Sequence, residues 1–385
     1  SARSPQAPCV ASIKLCVQGG VVGVAACDAE GSTFTTPEST ASGESEVTLT
    51  LSRPSQTATV VIRNTARVDN TSVTIREIGV YEAGDERLAP RGHDLGYDLF
   101  VILSPNKTGT QTIESTLKAL SPCVRVHRVH LASPEGTLQL RRSASELFGP
   151  ENPENEMMKS WNFQADLGDL ARADIATVRR HGGRVVFLTA VREPIGRAVA
   201  HMFQNLPLAI PVYSDLYQLR SGVFAQMLAD GLVASWEREF EQTSSVSASH
   251  MLWKKCLEDC NYISNEFRPV SGFDLLAHRF DTHQGYARID QGNDVTLIFR
   301  TPELGRTLPS ALAELTGHSV ERMSNSNVGA EKKYAELYKD VVGRLHVPAR
   351  LAEAIYRRHA YITHFFDKAE IDDLVRRWSM GAGVA

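Results

Sequence analysis

The sequence predicts a chain in two parts: a small all-β domain over residues 1–94, built as a sandwich or jelly roll, then an α/β domain over residues 95–385. Three observations carry this expectation. Up to about Asp94 the chain is rich in Ser, Thr, Val and Gly and alternates in short runs. From Tyr97 onward, continuous apolar runs of strand length alternate with helix-spaced ones, the mark of a mostly parallel sheet covered on both faces. Between them "EAGDERLAPRGHD" gathers charge, Gly and Pro as a linker does. A chain of 385 residues also has room for two cores, since single cores stop growing at about 250 to 300 residues.

In chain order, "EVTLTLS", "TATVVIRN" and "TSVTIREIGVYEAG" read as strands, and "PESTASGESE" as an exposed loop. "YDLFVILS" is the first buried strand, followed by a turn and then by Ile113, Leu117 and Leu120 at helical spacing. "CVRVHRVHL" is the second strand, "RVVFLTAV" the third, running into "REPIGRAVAHMF", and "DVTLIFR" the fourth. The tail "PARLAEAIYRRHAYITHFF" places Leu351, Ile355, Ile362 and Phe366 on one face of a packing helix. No internal repeat is visible.

Composition excludes several classes. With 42% hydrophobic residues, 22% charged residues and a formal net charge of -4, no global basic field points to nucleic acid, so any anion site must be local. No apolar run approaches the roughly 18 to 20 residues that span a bilayer, and no basic and apolar leader opens the chain, so a soluble protein is expected. The start at Ser1 leaves a removed upstream segment open. The six cysteines do not make a disulfide scaffold: Cys9, Cys16, Cys27 and Cys123 lack metal-ligand spacing, and Cys256 and Cys260 read as packed or free thiols.

The chemistry concentrates in "ILSPNKTGTQTIESTL", from Ile102 to Leu117. A turn from a parallel strand into a helix presents unpaired backbone N–H groups and the positive end of a dipole, which suits phosphate. Gly109 allows close backbone approach, Thr108, Thr110 and Thr112 can add hydroxyls, and Lys107 supplies a cation. In a Walker loop the lysine follows the last glycine; here it precedes the only one. On its own the segment also fits a Thr-rich helix cap beside a solvated lysine. A second segment, "AVREPIGRAVAHMF", follows the third strand and offers Arg192 and Arg197, whose planar forks can each grip a phosphate by two hydrogen bonds.

The order of the first segment resembles the sulfotransferase signature Pro-Lys-x-Gly-Thr, which cradles the 5′-phosphosulfate of 3′-phosphoadenosine 5′-phosphosulfate (PAPS). The second resembles the companion signature Arg-x-Pro-x-x-Arg-x-x-Ser, which grips the 3′-phosphate; its serine is replaced by Ala200, followed by His201. "FDLLAHRFDTHQGYARIDQGNDVTLIFRTPEL", "SNSNVGAEKKYAELYKDVV" and "IYRRHAYITHFFDKAEI" are similar to blocks of the bacterial sulfotransferase-like family named for putative capsular polysaccharide synthesis. The resemblance covers about Tyr97 to Ile371. It implies a P-loop-like α/β domain and transfer of a sulfuryl group from PAPS, as co-substrate and without a metal, to a hydroxyl of a carbohydrate.

The same resemblance assigns roles. Lys107 would contact the bridging oxygen between phosphate and sulfur, the backbone N–H groups of Thr108, Gly109, Thr110, Gln111 and Thr112 would hold the 5′-phosphate, and Arg192 the 3′-phosphate. Lys332 or Lys333 would lend charge from a loop. The acceptor needs a base, and His130, at the carboxyl end of the second strand, is the expected one, with His127, Glu114 and Glu135 as alternatives. Two other classes stay open. A P-loop phosphotransferase is disfavoured by the lysine's position and by the lack of an Asp-rich strand end for magnesium. An inactive glycan-binding or structural module remains, because "TIREIGVYEAG" resembles the closing strands of phage tail-associated β-domains. Expected partners are thus a hydroxyl acceptor, with neither nucleic acid nor a membrane span. Sequons occur at Asn70 and Asn106; a glycan on Asn106 would obstruct the loop, so a cytoplasmic setting is expected.

Overall fold

The computed structural model describes residues 9–27, 36, 39–51, 59–64, 71–82, 95–121, 124–148, 156–209, 222–241, 261–320, 323, 334–357 and 359–380. The expected linker, Cys123, Cys256, Cys260, Asn70, Lys332 and Lys333 lie outside these residues, save for Glu82 at the linker's start.

The first part is one antiparallel sheet of four strands: β1 (Cys9–Cys27), β2 (Ser39–Leu51), β3 (Thr59–Asn64) and β4 (Ser72–Glu82). β1 is its spine. β2 flanks one side, while β4 pairs with Cys9–Gln18 and β3 with Val22–Cys27 on the other. A register shift between Val17 and Val22, at "QGG", separates those two stretches of the strand. Ile13, Leu15, Val24, Val47 and Leu49 pack together as this part's core.

Two expectations change here. The described strands make a single sheet where two facing sheets were expected. "PESTASGESE" was expected as a loop, yet from Ser39 it is strand: its Ser and Glu side chains are largely exposed while its backbone pairs with β1. Composition reported the solvent and missed the pairing.

The second part is a mixed sheet of five strands in the order β6-β5-β7-β9-β8. β5 (Leu99–Leu103), β6 (Val126–Val129), β7 (Val185–Val191) and β9 (Asp294–Arg300) run parallel, and β8 (Tyr286–Gln291) joins β9 antiparallel at the edge. Every residue of β5, β7 and β9 is buried, as strands covered on both faces must be. β8 was not expected; its signal was the two-residue Gly-Asn connection into "DVTLIFR".

Helices cover both faces. Leu99, Val101, Phe187 and Ile298 lie in one core cluster with α3 (Glu156–Arg180), α4 (Pro194–Ala209) and α5 (Gly222–Glu241). α2 (Pro134–Phe148) lies against α3. Phe100, Ile102, Leu188 and Leu297 lie in the other with α1 (Thr110–Leu120) and α6 (Leu304–Thr316). The C-terminal helices α7 (Ala335–Arg344), α8 (Ala349–Arg357), α9 (Ala360–Phe365) and α10 (Lys368–Met380) join the first face. The tail expected as one helix is therefore two. Leu351, Ile355, Ile362 and Phe366 are all buried as expected, but His359 has extended backbone and separates α8 from α9. No helix among the described residues is long and apolar enough to cross a membrane.

β5 sits between β6 and β7, so the chain leaves it to one side and returns on the other. Such a reversal opens a crevice beyond the carboxyl ends of the two central strands, where α/β sheets bind ligands.

Candidate functional site

The loop Ser104–Gly109, between β5 and α1, lies at this crevice and is tied to the ends of the other parallel strands. Ser104 is fully buried; its hydroxyl accepts the Ala190 N–H at 3.0 Å and lies 3.0 Å from the Ala190 carbonyl, which fixes the loop to the end of β7. On the β6 side, His130 Nδ1 lies 2.8 Å from the Ser104 carbonyl. On the β9 side, the Thr301 hydroxyl donates to the Thr108 carbonyl at 3.3 Å. Finally, Arg192 Nη1 donates to the Lys107 carbonyl at 3.1 Å.

Within the loop Lys107 takes a left-handed backbone, φ 67°, rare for a side-chain-bearing residue, and Gly109 follows at φ 88° as the N-cap of α1. Glycine is required twice over at 109, because a Cβ there would sit 2.6 Å from Leu304 Cδ2. The Thr108 side chain is buried and donates to the Pro105 carbonyl at 2.7 Å, with Ser104 Oγ also at 2.7 Å. Its hydroxyl thus shapes the loop, where the sequence reading offered it to a ligand. Thr110 is also buried, Lys107, Gly109 and Thr112 are half-buried, and Gln111 is exposed at the start of α1.

The second segment has its own internal logic. Glu193 caps α4: its Oε1 accepts the Gly196 N–H at 2.6 Å, and a Cβ on residue 196 would come within 2.0 Å of that oxygen. Its other carboxylate oxygen accepts from the Tyr356 hydroxyl of α8. Tyr361 of α9 accepts the Arg192 N–H at 3.3 Å, so two C-terminal helices hold the arginine's backbone and its neighbour. Arg192 is half-buried beside the loop, whereas Arg197 and His201, one turn apart on α4, are buried to 1% and 5% exposure. His201 is buried next to the half-buried Ala200.

The four candidate bases separate clearly. His127 Nε2 lies 2.5 Å from Asp174 Oδ2, which Arg125 also meets at 2.6 Å. Burial alone would raise the Asp174 pKa; the hydrogen bond and charge of His127, then of Arg125, outweigh it and hold the carboxyl below its ordinary value. His127 is therefore bound into a packing network between β6 and α3. Glu114 pairs with Arg128 at 2.6 Å and with Lys118 at 2.8 Å, and Glu135 lies exposed in the first turn of α2. Only His130 is hydrogen-bonded to the loop itself. A carbonyl oxygen accepts and never donates, so Nδ1 carries the proton toward Ser104, and the lone pair of the neutral ring resides on Nε2.

Several residues that build the site were not anticipated. Tyr262 donates to the His130 carbonyl at 2.8 Å. Glu266, in the π-helical turn Ile263–Phe267, accepts from Ser133 N and Oγ at 3.1 and 2.9 Å and from Ala132 N at 3.3 Å. Burial raises the Glu266 pKa against the lowering effect of those donors and of Arg172. Arg300, at the end of β9, is 4% exposed and holds Glu370 of α10 through two hydrogen bonds. Ser104, directly after five apolar residues, and Glu193, in an Asp/Glu-Pro-x-Gly capping context, had local signals; Tyr262, Glu266 and Arg300 had none.

Comparison with protein-family models, with curated proteins and with solved structures returns no match for this chain.

Proposed function

We propose that the chain is a sulfotransferase that moves a sulfuryl group from PAPS to a hydroxyl, with a carbohydrate as the acceptor class, on a P-loop-like α/β domain. One observation supports this most: the two segments that resemble the donor-binding signatures meet, Arg192 on the Lys107 carbonyl, at the crevice where a nucleotide is expected in such a sheet. Nothing in their separate periodicities requires that contact.

The residues present fit the co-substrate. The backbone N–H groups of Thr108 to Thr112 open α1 with no acidic residue in its first turn, so they can receive the 5′-phosphate. Arg192, whose Nη1 is committed to the loop, would turn its remaining donors to the 3′-phosphate. Lys107 would stabilise the charge that develops on the leaving phosphate oxygen as the sulfur–oxygen bond breaks. His130 would take the proton of the acceptor hydroxyl at Nε2, with Ser104 and Tyr262 fixing the ring and its backbone. The co-substrate supplies the activated sulfuryl group, and the protein supplies position and charge.

Calorimetric titration tests the reading. Adenosine 3′,5′-bisphosphate should bind substantially tighter than adenosine 5′-monophosphate or ATP. Equal affinity for the bisphosphate and the monophosphate would remove the 3′-phosphate clamp, and preference for ATP would favour a phosphotransferase.

A further inference from the structure

Strand β4 carries an apolar stripe that its own sheet leaves uncovered. Cross-strand partners share a face, so Ala11, Ile13, Leu15 and Val17 of the buried core place Val80, Ile78, Ile75 and Val73 on the same side. On the other flank of β1 the partners of Ala11 and Ile13 are Leu49 and Val47, 2% and 5% exposed. Ile75, Ile78 and Val80 remain 48%, 53% and 58% exposed. Among the described residues β4 pairs with β1 alone, and no described strand takes up the other row of its backbone donors and acceptors.

This edge is complementary to itself. About a point between Arg76 and Glu77, Ile75 meets Ile78, Thr74 meets Gly79, Val73 meets Val80, and Arg76 meets Glu77. An isologous interface demands that property, because each residue must suit its twofold mate. The register shift in β4 makes the match real. Lys14 opposes Glu77 and Leu15 opposes Ile75, which leaves Arg76 as an extra residue and brings Ile75 and Ile78 onto one face. In a regular strand, residues three apart would point to opposite faces.

A single bulge spoils an edge for a straight partner, but two bulges opposed at a twofold keep the residue count equal on either side. The charges agree. Within the chain Arg76 reaches Glu44 and Glu77 reaches Lys14, each at 2.6 Å, so the mate's Glu and Arg would extend rows of alternating sign. We propose that β4 pairs antiparallel with β4 of a second copy of this chain, about a twofold axis between Arg76 and Glu77, to form one continuous sheet in which Ile75, Ile78 and Val80 pack beside the matching apolar residues of the mate. The proposal is independent of the sulfotransferase reading.

Light scattering and sedimentation of the full chain at micromolar concentration test it. The wild type should have twice the chain mass of 42.3 kDa. Ile78→Lys with Val80→Lys should give a folded monomer, with circular dichroism unchanged and a thermal midpoint lowered by no more than the lost association accounts for, since both positions are exposed, whereas Met227→Lys, exposed on α5, should remain dimeric. Arg76→Glu should weaken the dimer at least tenfold, and the exchange Arg76→Glu with Glu77→Arg should recover part of that loss, since it rebuilds the two contacts across the axis but reverses the sign facing Glu44 and Lys14 within the chain. A monomeric or trimeric wild type, a dimer that survives the double lysine variant, or an Arg76→Glu chain that dimerises as tightly as the wild type would each overturn the proposal.

Discussion

Gly109→Ala probes the fold and the candidate site with one methyl group. The alanine would have to hold the left-handed backbone at φ 88°, which costs about 1–2 kcal/mol outside glycine. Its Cβ would also sit 2.6 Å from Leu304 Cδ2, and an ordinary contact near 3.5 Å requires a shift of about 0.9 Å. Leu304 is 5% exposed within the cluster that covers one sheet face, so that shift is an overpacking cost of about 1–3 kcal/mol. The expected loss is about 2–5 kcal/mol in denaturant unfolding. Leu304→Ala separates the two parts: in that background only the backbone cost of Gly109→Ala should remain, and the coupling in the double-mutant cycle reports the clash. Nucleotide titration of the same proteins should show a weakened site, because the loop's N–H groups move with the helix start. A Gly109→Ala chain within about 0.5 kcal/mol of wild type, or an equal loss with and without Leu304, would refute the reasoning.

Four further outcomes are expected. Arg192→Ala should weaken adenosine 3′,5′-bisphosphate at least tenfold by titration, while Ala200→Ser leaves binding unchanged or modestly tighter, a neutral hydrogen bond being worth about 0.5–1.5 kcal/mol. Lys107→Ala should abolish sulfate transfer from PAPS with the melting temperature retained; full activity would make the lysine a bystander. Asp174→Asn should cost about 3 kcal/mol near neutral pH, since it strips a buried anion from Arg125 and His127. Because the folded Asp174 pKa is depressed, that stabilisation is present above about pH 4 and is lost as pH falls through the folded value, so a pH-independent difference in melting would contradict the network. Glu266 runs the other way: its folded pKa is raised, so as pH rises from about 4.3 toward the folded value the wild type should lose stability relative to Glu266→Gln, and a gap that widens in favour of wild type would refute the assignment.

The parts of the fold legible in the sequence were those where burial is complete on both faces. "DVTLIFR" matches β9 residue for residue, and β5 and β7 differ from their expected runs only at the ends, by Tyr97, Asp98 and Ser104 and by Arg184, because such strands leave an uninterrupted apolar signal. β8 buries only Ile289 fully, so its alternation was too shallow to read. β1, the spine of the first sheet, is interrupted by "QGG" at its register shift, and the sequence reading named no strand there. Helix α1 was readable from Ile113 and Leu117, both fully buried, while the break at His359 was invisible because hydrophobic spacing runs through it undisturbed.

At the candidate site, residue types and order were readable, and their attachments were not. Lys107, Gly109, Arg192 and His130 could be singled out from local pattern, but Ser104, Thr301 and Tyr361 act on partners that lie in other strands and helices. This has a consequence for how the two signature-like segments would work together. The guanidinium of Arg192 already spends Nη1 on the Lys107 carbonyl, so removing it would release the loop at its most strained residue, the left-handed Lys107, as well as remove charge. Under the proposed reading the 3′- and 5′-phosphate subsites are then coupled: Arg192→Ala would weaken adenosine 5′-monophosphate too, by less than the bisphosphate, because only the loop term is lost for the former. The same coupling explains why Tyr361 and the Glu193–Tyr356 bond belong with the site although neither is expected to touch ligand. They fix the backbone from which Arg192 reaches, and so set the geometry of a loop whose sequence lies far upstream.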